Sequence, residues 1–220
     1  MKIKFLSVAL GMALSANILS ASAQKSYTEG LVTIKTSTRG QDVVMNEYFR
    51  SDSIATTFAA GPANIKLLAD ANYKFFAVIA EVAAYNVKKA AIYTPDEIDQ
   101  VLKGFPTLTF APSTETKQIS GFNCKKVVAT DTKTKKTYEI WITNDIALPA
   151  AVIDKYYAAI GGVPIQYTSF QKGPDGAWVT ADYTVTSVSD QKAPAGTFGI
   201  APDFDKISKD QLDAMSRGNQ

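Results

Sequence analysis

Apolar and polar residues alternate with a period of two along most of this chain, and no other feature so narrows what it can fold into: strands must dominate. Residues 31–36 set Val32 and Ile34 against Thr33 and Lys35, Arg39-Gly40-Gln41-Asp42 reads as a turn, and residues 43–50 read as the returning strand. After Ser51-Asp52-Ser53, the positions Ile54, Thr56 and Phe58 mark another short strand, punctuated by Gly61-Pro62-Ala63-Asn64. The period returns at 108–110, 122–130 and 137–143. It recurs at 166–170 and 178–188, which predict a hairpin closed by Gly173-Pro174-Asp175-Gly176. Residues 73–93 carry apolar side chains on both alternations, Phe75-Ala77-Ile79 and Phe76-Val78-Ala80. That predicts two strands buried on both faces and broken near Tyr85-Asn86.

Helices are few. Thr94-Pro95-Asp96-Glu97 is a capping box with proline at the first helical position, so a helix should run from there to about Lys103 and stop at Gly104. Ile98, Val101 and Leu102 should face inward, while Asp96, Glu97 and Asp99 complement the helix dipole rather than form a catalytic acid cluster. A second helix is predicted over 149–160, where Val152, Ile153, Tyr156, Tyr157 and Ile160 recur at helical spacing before Gly161-Gly162. The tail after Pro194 reads as loop, then a short polar helix over 209–215. The class is therefore α+β and strand-dominated.

Residues 1–23 read as a cleaved signal peptide. Lys2 and Lys4 supply the charge, the apolar stretch 5–19 is too short to span a bilayer, and Ala21-Ser22-Ala23 ends it. Cleavage before Gln24 predicts a periplasmic or secreted protein with one domain over 24–220 and no transmembrane segment. Without Lys2 and Lys4, the 23 basic residues fall to 21 against 21 acidic ones, so nothing points to nucleic acid or an anionic lipid surface as partner.

The sequence has no histidine, which excludes Ser-His-Asp and Cys-His nucleophiles and imidazole-rich metal sites. Its one cysteine, Cys124, has no partner for a disulfide or a redox pair and is expected to be buried. Neither a phosphate-binding GxxxxGK[ST] nor a GxGxxG occurs. This inventory predicts no catalytic residue, no metal and no cofactor.

The densest pattern is Ile119-Ser120-Gly121-Phe122-Asn123-Cys124-Lys125-Lys126, followed by Tyr138-Glu139-Ile140-Trp141-Ile142-Thr143-Asn144-Asp145-Ile146. Trp141 on a mostly polar strand face calls for cover, by a helix or by a ligand. These residues resemble a family of exported Gram-negative envelope proteins of unknown function, itself similar in fold to the periplasmic lipoprotein carriers. The resemblance implies a single curved antiparallel sheet, an unclosed half-barrel, with helices covering its concave face. It implies a cavity but no known activity.

Three functions fit. The first is a non-catalytic carrier or sensor of a lipid, acyl chain or other apolar molecule, with Phe75, Ile79, Ile140, Ile142, Ile153 and Tyr157 as candidate ligand-binding residues. Each methylene buried there would contribute about 0.8 kcal/mol. The second is an envelope protein-interaction module with a solid core. The third is a carboxylate-based hydrolase.

Overall fold

The computed structural model describes residues 24–38, 41–172 and 177–217. The expected leader, Arg39-Gly40 and the hairpin turn Gly173-Pro174-Asp175-Gly176 lie outside the described residues. Strands β1 (Lys25–Ser26), β2 (Gly30–Thr38), β3 (Gln41–Arg50), β4 (Ser53–Ala60), β5 (Ala63–Asp70), β6 (Phe76–Val82) and β7 (Val87–Ile92) lead to helix α1 (Pro95–Gly104). Then come β8 (Leu108–Ile119), β9 (Phe122–Asp131), β10 (Thr137–Thr143), β11 (Ile146–Ala147), β12 (Val163–Lys172), β13 (Trp178–Ser189), β14 (Asp205–Ile207) and α2 (Lys209–Arg217). A 12-stranded sheet runs in the order β14-β7-β6-β5-β4-β3-β2-β13-β12-β10-β9-β8. Its end strands, β14 and β8, do not pair, so the sheet is open. Every pairing in it is antiparallel except β14 on β7. No helix among the described residues is long and apolar enough to cross a membrane.

Local chemistry explains the hairpins. Ser120 and Gly121 both take positive φ (51° and 87°) between the paired Ile119 and Phe122. A two-residue turn of that kind matches strand twist only with φ above zero at both positions, which is why a glycine sits there. Asn86, at φ 50°, breaks β6 from β7 at the expected place.

The sheet is strongly curled. Phe76 of β6 and Phe170 of β12 line one cavity, although six strand spacings separate their strands. At roughly 4.8 Å per spacing a flat sheet would hold them about 29 Å apart. The inner face is covered by α1 and by residues 150–157. The latter form two 3₁₀ turns, Ala150–Val152 and Lys155–Tyr157, not the helix expected over 149–160. Ile153 (φ −97°, ψ 122°) and Asp154 (φ −48°, ψ 134°) are extended between the turns, which carries Asp154 inward where a continuous helix would have turned it aside.

Three apolar clusters stabilise the sheet. A central one joins Val32, Ile34, Met45, Phe49, Ile165 and Val185. A second packs Val127, Ala129, Ile140 and Ile142 beneath Tyr157, Ile160 and Phe170. The third lies on the outer face: Ala55, Leu68, Ala77, Ile79 and Ala90 are covered by Phe198, Ile200 and Phe204 from the tail. This tail is a strap rather than a plain loop. Lys66 Nζ donates to the Gly199 carbonyl at 2.7 Å, and Lys88 and Lys89 pair with Asp203 and Asp205 at its rim. Cys124 is buried as expected, and burial pushes its thiol above the usual value. Trp141 is covered by a lysine from the neighbouring strands: Lys117 Nζ from β8 sits 4.0 Å from its ring centroid.

Candidate functional site

The register of the ladders builds the inner face row by row. Glu47, Thr56 and Leu67 are direct cross-strand partners from β3 to β5, and Ile54, Ala69 and Phe76 form the adjacent row from β4 to β6. These two rows floor a cavity of about 300 Å³. Ile98, Val101 and Leu102 of α1, with Ala151, Val152 and Asp154, form its roof, and Tyr73, Tyr93, Phe105 and Phe170 stand at its margins. A volume of this size is at the small end of the range for ligand sites, which runs from roughly 300 to 1,000 Å³. A second space of about 20 Å³, room for a water molecule, adjoins it and shares Glu47, Val152 and Asp154.

The polar groups of the cavity are few and convergent. Thr56 Oγ1 donates to Glu47 Oε2 at 3.0 Å, and Tyr156 OH donates to Asp154 Oδ2 at 2.6 Å. Burial, then the neighbouring Asp154 charge, push the Glu47 carboxyl up to about 7 against the opposing Thr56 hydrogen bond. Burial also raises the Asp154 carboxyl above its ordinary value, offset in part by Tyr156. The phenols of Tyr73, Tyr156, Tyr157, Tyr167 and Tyr183 are raised by burial and by the same carboxylate charges. The two carboxylates therefore form an acidic end in an otherwise apolar chamber. Among the described residues no group of three or more Asp, Glu, Cys or His side chains is placed to hold a metal ion.

The six residues expected to bind ligand divide by face. Ile140, Ile142, Ile153 and Tyr157 come together in one packed cluster, where the Tyr157 hydroxyl donates to the Thr168 carbonyl at 2.6 Å. Ile153 and Tyr157 border the smaller space, next to Glu47 and Asp154. Phe75 and Ile79 belong to the outer-face cluster beneath the strap, one residue out of phase with Phe76, which does face the cavity. None of the six lines the larger chamber. A signal for its acidic end does exist in the sequence. Along β3, Val43, Met45 and Phe49 occupy the inward alternation, and Glu47 is the one charge among them. Asp154 likewise interrupts the apolar run from Val152 to Tyr157.

No family model matches the chain, and no curated protein matches it. Among solved structures it is similar to PNGF-II in a C2 crystal form, at 18% identity and a TM-score of 0.44, over 86% of this chain and 32% of that one. The P21 form of PNGF-II gives 17% identity and a TM-score of 0.48, over 86% and 33%. The chain thus spans about a third of that protein's length.

Proposed function

We propose that this is an exported, non-catalytic binding protein whose chamber between the curled sheet and α1 takes a small apolar or amphiphilic molecule. The observation that carries this reading is the chamber: about 300 Å³, walled by Ile54, Leu67, Phe76, Leu102 and Phe170, with its two carboxylates, Glu47 and Asp154, at one end. Burying an aliphatic chain there contributes about 0.8 kcal/mol per methylene, enough for useful affinity without catalysis. The resemblance of the Ile119–Lys126 and Tyr138–Ile146 segments to exported envelope proteins supports the same reading, with loading from an envelope compartment.

The test is binding of octyl-chain ligands to lipid-stripped protein, measured for wild type and for Val101→Trp, which fills the chamber from α1. Saturable binding lost in a folded Val101→Trp supports a ligand chamber. Absence of binding across head groups and chain lengths favours the protein-interaction module instead. A second reading, a carboxylate-based hydrolase, draws on the Glu47–Asp154 pair, and turnover of chromogenic glycosides abolished by Glu47→Gln would establish it.

A further inference from the structure

We infer that the chamber selects amphiphiles bearing a protonated amine, with Glu47 and Asp154 as paired acceptors for the ammonium head and the Ile54, Leu67, Phe76 and Leu102 walls as the bed for the hydrocarbon. The inference rests on the binding function proposed above and names its ligand class.

Four observations converge on it. The two carboxylates come from opposite sides of the chamber, Glu47 from the sheet floor and Asp154 from the roof. Both also border the small adjoining space, which places them together at one end. Each has one oxygen in a hydrogen bond with an internal hydroxyl, leaving Glu47 Oε1 and Asp154 Oδ1 without a hydrogen-bond partner among the described residues. No lysine or arginine among the described residues forms an ion pair with either of them. The nearby cation Lys155 instead lies over the Tyr73 ring at 4.6 Å. Finally, the remaining wall is hydrocarbon and aromatic, which suits an alkyl or aryl body and leaves a free inorganic cation without most of its ligands.

Other head groups fit less well. A carboxylate or phosphate head would meet two like charges in a desolvated site. A neutral alcohol would satisfy one acceptor and, above about pH 7, leave the paired charges uncompensated. An ammonium group supplies three donors and one positive charge to two acceptors that lack both.

Protonation supports the same assignment. With no cation present, Glu47 holds a proton up to about pH 7 because burial and Asp154 disfavour its charge. The groups facing the pair are the phenols of Tyr73, Tyr156, Tyr157, Tyr167 and Tyr183, all raised and so neutral at pH 7. An incoming ammonium therefore displaces the Glu47 proton, and amine affinity must rise as pH climbs through about 7 and then level off.

Calorimetric titration of the lipid-stripped protein with octylamine, octanol and octanoate tests this directly. At about pH 8, octylamine is expected to bind at least about tenfold more tightly than octanol, with octanoate weakest. Octylamine affinity should weaken by about tenfold or more between roughly pH 8 and pH 5, a range in which octanol shows no such trend. The double variant Glu47→Gln, Asp154→Asn should lower octylamine to the affinity of octanol. The head-group series on wild type stands on its own should that variant fail to fold. Equal or tighter binding of octanol or octanoate overturns the amine assignment and leaves the binding function standing. Failure of all three to bind overturns both.

Discussion

At the residue scale, burial moves the Glu47 carboxyl far from its ordinary range. In the unfolded chain its carboxyl releases its proton near 4.5, whereas in the fold it does so at about 7. Between those values the folded protein binds more protons than the unfolded chain, so stability falls as pH rises through that window and is flat below it. The loss should total about 3 kcal/mol without ligand. Urea denaturation of the lipid-stripped protein is expected to show a higher midpoint near pH 5 than near pH 8, and Glu47→Gln should flatten the difference. A wild-type midpoint that does not move between those conditions would show that the carboxylate reaches water. The residue was visible in the sequence as a charge on an apolar alternation, but its pairing with Asp154 was not. Glu47 and Asp154 belong to distant stretches of chain, and only the packing of the 3₁₀ turns over β3 brings them together.

Among the elements, α1 and the 149–160 segment show where local signals suffice. The capping box forms as its residues require: Thr94 N donates to Glu97 Oε2 at 2.6 Å and Glu97 N donates to Thr94 Oγ1 at 3.3 Å, each closing an otherwise orphaned backbone group. Thr94→Ala should therefore lower the unfolding free energy by about 1 kcal/mol, with Thr94→Ser near wild type, as read from paired thermal melts. Nothing beyond neighbouring residues is needed to form this helix start, so it was legible. Over 149–160 the pattern was equally clear but ambiguous. Val152, Ile153, Tyr156 and Tyr157 turn inward from a helix, and they also turn inward from two short turns joined by extended residues. β5 escaped a clean alternation for a related reason. Leu67 faces the chamber and Leu68 the outer cluster, so both of its faces are apolar.

For the whole molecule, the tail decides which faces of the sheet can be apolar. Phe198, Ile200 and Phe204 cover Leu68 and Ile79, Arg50 stacks over the Phe198 ring, and β14 adds to the β7 edge. Truncation after residue 193 should destabilise the protein by a few kcal/mol through lost apolar burial. It should also promote self-association through the uncovered face and the freed edge of β7. Urea denaturation and light scattering of the truncated chain check both effects; an unchanged midpoint and a monodisperse monomer would show the strap to be dispensable. The sequence alone determined that strands dominate, that hairpins connect them, where α1 begins, and that histidine-dependent chemistry is absent. Alternation with a period of two assigns residues to one face or the other, but it cannot say which face the curl encloses. For β6 that choice put Phe76 in the chamber and Phe75 and Ile79 under the strap, because a tail more than a hundred residues downstream covers one side. The chamber and its acidic end belong to tertiary structure for the same reason. They are the space left when a curled sheet is closed by segments whose positions no local pattern encodes.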